Sequence, residues 1–251
     1  MRRTRFALLS AVVLLGLAAA ARAADDDVKA IVTRAIKAHG GEETLTKYKA
    51  AQSKNKGKIT IAGVGEVDFT QELSLMQPDK LKDVMELQIG GKTISVVTIA
   101  NGDKLSIDAD GKAVDINDDI KEALKDAQHM MKTARLVTLL KDKENELSLV
   151  GEVKVEDKPA VGIRVASKGH KDISLFFNKD TGLLAKVEFR AKSPMGGKEY
   201  TEERIILEYE KTNGIPRPKK VLVKHDGEKF LEAEVVEAKF LEKLDDSEFK
   251  K

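Results

Sequence analysis

The residues able to do chemistry are few and scattered. The chain has 251 residues, four histidines and no cysteine or tryptophan. His39, His129, His170 and His225 show no H-E-x-x-H spacing, and without cysteine there is neither a thiolate nucleophile nor a Cys/His zinc set. No serine stands in G-x-S-x-G. His39 falls at a helix end, where a cation is favourable, and His170 and His225 fall in or beside turns. All four therefore read as surface residues. The stretch DADGKAVDINDD, Asp108 to Asp119, is acidic enough to suggest a calcium loop. Its glycine is fourth rather than sixth and Lys112 occupies a ligand slot, so it reads as a hairpin turn. The run Asp25 to Asp27 reads as a solvated helix start. The expectation is a protein with no catalytic residue, no metal and no cofactor; an enzyme here would rest on a carboxylate pair without a local signature.

The elements around these residues are more informative. Arg2, Arg3 and Arg5 precede an apolar run from Phe6 to about Ala21 and the small-x-small triplet Ala21-Arg22-Ala23. This predicts a cleaved signal peptide over 1–23 and an exported, periplasmic or secreted protein with no permanent membrane anchor. The run is shorter than the ~20 apolar residues a spanning helix needs. Four of the 44 basic residues and none of the 42 acids lie in that segment, so the remainder carries a net charge near −2. With no basic stripe and no interleaved aromatics, nucleic acid is not an expected partner. No Ser/Pro/Gly-rich linker divides residues 24–251, which read as one domain, and without cysteine it must fold on its core alone.

Helical and strand periods alternate along that domain. Val28, Ile31, Val32, Ala35 and Ile36 form one helical stripe, stopped by Gly40-Gly41, and EETLTKYKA can add one or two turns. The period then changes to two: Val67, Phe69, Leu73 and Leu75 share a face, as do Met85, Leu87 and Ile89. So do Ile173, Leu175 and Phe177, then Ala185, Val187 and Phe189, then Ile205, Leu207 and Tyr209. Gly90-Gly91, Asn101-Gly102, Asp110-Gly111, Asn178 to Gly182, Gly196-Gly197, Asn213-Gly214 and Asp226-Gly227 punctuate these runs as hairpin turns. Pro216 and Pro218 cannot donate to a ladder and belong at a strand entrance. One amphipathic helix interrupts the meander around 117–140, with Ile120, Leu124, Ala127, Met131, Ala134 and Val137 at steps of four and three and Asn117 or Asp118 as cap. The layout is a helix, about five strands, a helix, then five or six strands. The class is α+β, an antiparallel meander that must curl around its helices.

Four stretches resemble the LolA/LolB-like superfamily of lipoprotein carriers. QPDKLKDVMEL (Gln77 to Leu87) is similar to its strand opening, NKDTGLLAKVEF (Asn178 to Phe189) to its second-half hairpin, TNGIPRPKKVLVK (Thr212 to Lys224) to its strand entrance, and LDDSEF (Leu244 to Phe249) to its closing segment. The resemblance implies a strongly curved, unclosed half-barrel sheet with helices on the concave side and an apolar cavity between them. It implies a non-enzymatic carrier of lipid or lipoprotein acyl chains, with Phe69, Leu73, Met85, Leu87, Phe177 and Phe189 as candidate walls and Met130 and Met131 facing them. Met131 continues the helical stripe and reads as core, and Met130 lies beside it. The aromatic lining of the carriers is thin here, and without a lipobox cysteine the lipid-anchored acceptor role is excluded. The superfamily also holds sensor domains, so the alternative is an envelope protein-interaction module with a filled core.

Overall fold

The computed structural model describes residues 27–193 and 198–250, so the segment read as a signal peptide and the Gly196-Gly197 turn lie outside the described residues. Helix α1 (27–38) buries Val28, Val32 and Ala35, its expected stripe, and helix α2 (Gly41–Lys47) follows after Gly40 and Gly41, both at positive φ.

The strands form one antiparallel sheet. The first six are β1 (Ala50–Ile61), β2 (Gly65–Met76), β3 (Lys80–Ile89), β4 (Lys92–Asn101), β5 (Lys104–Ala109) and β6 (Lys112–Ala113). Helix α3 (Asp118–Ala134) follows. Then come β7 (Asn145–Val155), β8 (Lys158–Ser167), β9 (Ile173–Asn178), β10 (Leu184–Lys192), β11 (Glu199–Thr212), β12 (Ile215–His225) and β13 (Glu228–Leu241). The order is β6-β5-β4-β3-β2-β1-β13-β12-β11-β10-β9-β8-β7. The chain thus starts mid-sheet, meanders to one edge, crosses by α3 to the other edge and meanders back until β13 pairs with β1. The sheet does not close: β6 and β7 are its edges. The β7–β8 hairpin has no glycine to announce it, because Glu156 and Asp157 themselves take the turn at φ 45 and 62.

Asn117 caps α3 by accepting the Ile120 N–H at 2.9 Å. The helix is shorter than its sequence period, ending at Ala134, after which Leu136 adopts φ 68. Val137 therefore leaves the stripe, and Leu136 and Leu139 turn into the core instead.

The core lies between α1, α3 and the inner faces of β8, β9 and β10, where Ile163, Val165, Leu175, Phe177, Val187 and Phe189 are buried. Charges hold α3 over this half. Lys192 meets Asp119 at 2.6 Å and Glu122 at 3.1 Å, and Lys171 meets Asp126 at 3.1 Å and Glu122 at 3.3 Å.

Bulges decide which face a residue takes, since a one-residue slip turns side chains over. The shift between Leu184 and Lys186 sends Ala185 to an outer cluster with Phe176, Ile205, Leu207 and Leu222, away from Val187 and Phe189. Two shifts in β11, beside Glu208, separate Tyr209 from Ile205 and Leu207 and turn it inward to His39 and Leu184. These two triplets therefore do not share a face, contrary to their sequence parity. A short 3-10 turn (Asp246–Phe249) covers the outer face of β3 and β4, with Phe249 against Met76 and Ile99.

Candidate ligand-binding cavity

The other half of the concave face is not filled. Between β1, β2, β3, β12 and β13 on one side and α2, α3 and the residues that follow each helix on the other lies a cavity of about 700 Å³. That is within the ~300–1,000 Å³ typical of small-molecule sites. Leu73, Leu75, Leu81 and Met85 line its floor, Leu231 and Val235 its side, and Leu124, Met130 and Met131 its roof.

Curvature at this floor has local causes. A Cβ on Gly57 would sit 1.9 Å from the Glu232 carbonyl oxygen, so only glycine permits the approach of β1 to β13 beside the bulge at Lys54/Asn55. On the next strand, β12 pairs with β13 only from Lys220 onward, while Pro216 and Pro218 pair with β11 alone. The prolines stand at the strand entrance, where the ladder to β13 has opened and an N–H is not required. Arg217, only 7% exposed, occupies the opening. It donates to Thr212 Oγ1 at 2.8 Å and to the Val235 carbonyl at 3.4 Å, and it pairs with Glu210.

The rim is tied by Arg135, the residue after α3. Its guanidinium donates to the Leu45 carbonyl at 3.2 Å and to the Tyr48 carbonyl, joining the end of α3 to the corner between α2 and β1, while burial lowers its pKa. His39 borders the cavity nearby. Its Nδ1 donates to the Ala35 carbonyl at 2.8 Å, so Nε2 accepts from the Leu184 N–H at 3.4 Å, while the neighbouring Tyr209 hydroxyl donates to the Leu184 carbonyl at 2.9 Å. Burial lowers its pKa against that hydrogen bond.

One patch of the lining is polar. Asn55 Nδ2 donates to Gln71 Oε1 at 2.9 Å, and Gln71 Nε2 donates to both oxygens of Asp83 at 3.0 and 2.9 Å. Burial raises the Asp83 carboxyl to about 6 against the pull of Gln71 and Arg204. From β11, Arg204 Nε donates to Glu202 Oε1 at 2.6 Å. Burial opposes ionisation of Glu202, but Arg204 and His225 outweigh it and hold the carboxyl at about 2.

Of the residues expected to form walls, Leu73, Met85, Met130 and Met131 line the cavity. Met130 is the fully buried one of the methionine pair and Met131 is half-buried, the reverse of what the stripe suggested. Phe177 and Phe189 lie in the packed core instead. Phe69 is buried, but neither it nor half-buried Leu87 is on the lining. The lining residues that sequence reading missed include Tyr48, Arg135 and Arg217, whose roles depend on distant partners. Asn55, Gln71 and Asp83 were missed too, yet Gln71 and Asp83 left a signal: each is a polar residue at an apolar-parity position, between Phe69 and Leu73 and between Leu81 and Met85.

The histidines are not free surface groups, in contrast to their sequence reading. His129 and His170 stack at 3.9 Å, and His225 lies between Tyr200 at 4.1 Å and Phe230 at 3.8 Å. Among the described residues, no three His, Asp or Glu are grouped to hold a metal ion, and no helix is long and apolar enough to cross a membrane.

No family model matches the chain, and no curated protein matches it in sequence. Solved structures do match. A putative outer membrane lipoprotein-sorting protein domain from Vibrio parahaemolyticus superposes with a TM-score of 0.55 at 9% identity, covering 89% of this chain and 96% of that one. A DUF1329 family protein from Desulfovibrio piger gives 0.54 at 14% identity, with coverage of 89% and 97%. A LolA superfamily protein from Nitrosomonas europaea gives 0.50 at 10% identity, again with 89% and 97%. At such identities the likeness concerns the path of the chain, and on that ground this protein has the LolA-like fold: one unclosed antiparallel sheet of thirteen strands curved around its helices.

Proposed function

We propose that this protein is an exported, non-catalytic carrier that holds an apolar ligand, such as lipid or lipoprotein acyl chains, in the cavity between sheet and helices. The observation that carries the reading is the unfilled half of the concave face, about 700 Å³ with a lining in which apolar residues outnumber polar ones, Leu foremost. Protein interiors are normally packed to crystal-like density, and a void of this size without an occupant forfeits dispersion contacts along its whole wall. A hydrocarbon chain would restore them, at about 0.8 kcal/mol per methylene buried. The likeness to lipoprotein-sorting and LolA-superfamily structures supports a carrier. Export in the periplasm, with residues 1–23 removed, completes the proposal.

The test is mass spectrometry of organic extracts from protein purified from a periplasm without detergent. A stoichiometric lipid, absent when Leu73→Arg places a charge on the cavity floor of a folded protein, is the expected result. A clean extract, even after incubation with membrane vesicles, would end the carrier reading.

One observation favours a second reading, a protein-interaction module. Strand β7 pairs with β8 on one side only, exposes Leu149 at 43%, Val150 at 47% and Val153 at 36%, and leaves its outer edge open among the described strands, an edge of the kind that accepts another chain. Crosslinking at β7 to an envelope protein, with the cavity left empty, would favour it.

A further inference from the structure

The carrier reading leaves the polar patch of the cavity unexplained. A site for hydrocarbon alone has no use for charged groups on its walls, because desolvating them is costly, yet besides Arg135, Arg217 and Glu202 this one carries Asp83 and Arg204. The two come from far apart in the sheet. Between β3 and β11 lie β2, β1, β13 and β12, a flat separation of roughly 24 Å at ~4.8 Å per strand. Both Asp83 and Arg204 nevertheless line the same hollow, and the charge of Arg204 reaches Asp83 across it. Their direct partners stay on their own sides, Gln71 for Asp83 and Glu202 for Arg204.

The hydrogen bonds on each side have a direction. An ionised Asp83 only accepts, so it turns Gln71 Nε2 toward itself; Gln71 Oε1 then takes Asn55 Nδ2. Asn55 Oδ1 is left buried without a partner, and the two oxygens of Asp83 share one amide nitrogen where a carboxylate can take about four hydrogen bonds. This side offers acceptors. On the other side Arg204 binds Glu202 through Nε, and its side chain is 38% exposed, leaving the Nη groups as donors.

We propose that the cavity selects an amphiphile whose hydrocarbon chain carries a neutral group able to donate and accept hydrogen bonds, an amide or a hydroxyl, seated between Asp83 and Arg204. The proposal rests on the carrier reading and specifies its ligand. The group donates to Asp83 and accepts from Arg204. An ester leaves Asp83 without a donor. An anionic head group sets its charge against Asp83, and a cationic one against Arg204.

Three probes with the same ten-carbon acyl chain separate these cases: N-methyldecanamide, methyl decanoate and decanoate, each titrated at pH 7.5 against a fluorescent apolar dye bound to the delipidated protein. The amide should bind about tenfold more tightly than the ester, the span of one hydrogen bond to a charged group. That preference should vanish in Asp83→Leu with the ester's affinity held within about twofold, whereas Arg204→Met, which removes the donor that both carbonyls use, should weaken amide and ester alike and keep the preference, with the fold of each variant checked by circular dichroism. Equal binding of amide and ester, a preference for decanoate, a preference that survives Asp83→Leu, or affinities untouched by Arg204→Met would overturn the proposal and leave the carrier reading standing. Failure of all three probes to displace the dye, or of the dye to bind, would overturn both.

Discussion

The two halves of the concave face are made of the same residue types on the same alternating pattern and end in different states. On β8, β9 and β10, Ile163, Leu175, Phe177 and Phe189 meet α1 and α3 and are buried. On β2 and β3, Leu73 and Met85 occupy equivalent inward positions, remain half-buried and face the cavity. What differs is the placement of α3. The Lys192 and Lys171 ion pairs hold its first turns over β9 and β10, while Arg135 pins its end to the carbonyls of Leu45 and Tyr48. The helix is thus drawn down onto β9 and β10 at its start and held at the rim at its end, so that it packs on one half and only roofs the other with Leu124, Met130 and Met131. Cavity and core are thus one surface, divided by polar contacts at the helix ends rather than by hydrophobicity along the strands.

The largest effect expected from this contrast is on stability. Phe177→Ala should cost about 3–5 kcal/mol, the range for truncating a buried aromatic, whereas Leu73→Ala, beside space already empty, should cost under about 1 kcal/mol. Urea denaturation of the two variants measures the difference, and equal costs would mean that the halves are alike.

Next in size is a gain. The Asp83 carboxyl rises from 3.8 to about 6 in the folded protein, so folding favours its protonated form. Its stabilising contribution is present below pH 3.8 and lost as pH rises through about 6, leaving an ionised group that burial penalises. Asp83→Asn should therefore stabilise the protein at pH 7.5 by no more than about 3 kcal/mol, at 1.36 kcal/mol per pH unit, and by little below pH 4. Thermal melts across that range read both ends, and a destabilised variant at pH 7.5 would contradict the assignment.

Arg135→Met should cost about 1–2 kcal/mol by leaving two carbonyls unpaired, and it should speed ligand exchange more than it weakens affinity, because it loosens the rim and not the floor. Stopped-flow dye release measures this; an unchanged release rate would remove Arg135 from the account.

A further pH dependence arises where α3 meets His170. Burial first, then His170, Lys132 and Lys125, lowers His129 to about 4. The unfolded chain takes up this proton from 6.5 downward and the folded one does not, so stability is lost as pH falls through that interval. His129→Gln should flatten this part of the curve. Melting temperatures between pH 7 and 4.5 would show it, in the opposite sense to Asp83.

Much of the fold was legible because its signals are local. The stripe of α1, the Asn117 cap, the Asp226-Gly227 turn and the prolines of β12 each follow from residues a few positions apart. Faces were legible until a bulge intervened: nothing in the triplets around Ala185 and Tyr209 announces the extra residue that turns them over. The partners of His129 and Arg135 lie 41 and 90 positions away, beyond any local period. Core and cavity could not be separated because Phe177 and Leu73 obey one rule and differ only in whether a helix packs onto them or stands off across the cavity. The polar patch is the exception, since Gln71 and Asp83 interrupt apolar parity on adjacent strands and could have been read as an inward polar site.

The absence of cysteine permits the most direct test of the divided face. Single thiols are placed at Leu73→Cys and Phe177→Cys, and their reaction with an excess of a small apolar maleimide is followed in the folded, delipidated protein. The thiol at 73 should react at a rate near that of the unfolded chain and be protected by a bound amphiphile, while the thiol at 177 should react only as fast as the protein opens. Equal protection of both thiols would mean that the first half of the face is packed like the second, and that the cavity on which the carrier reading depends does not exist in solution.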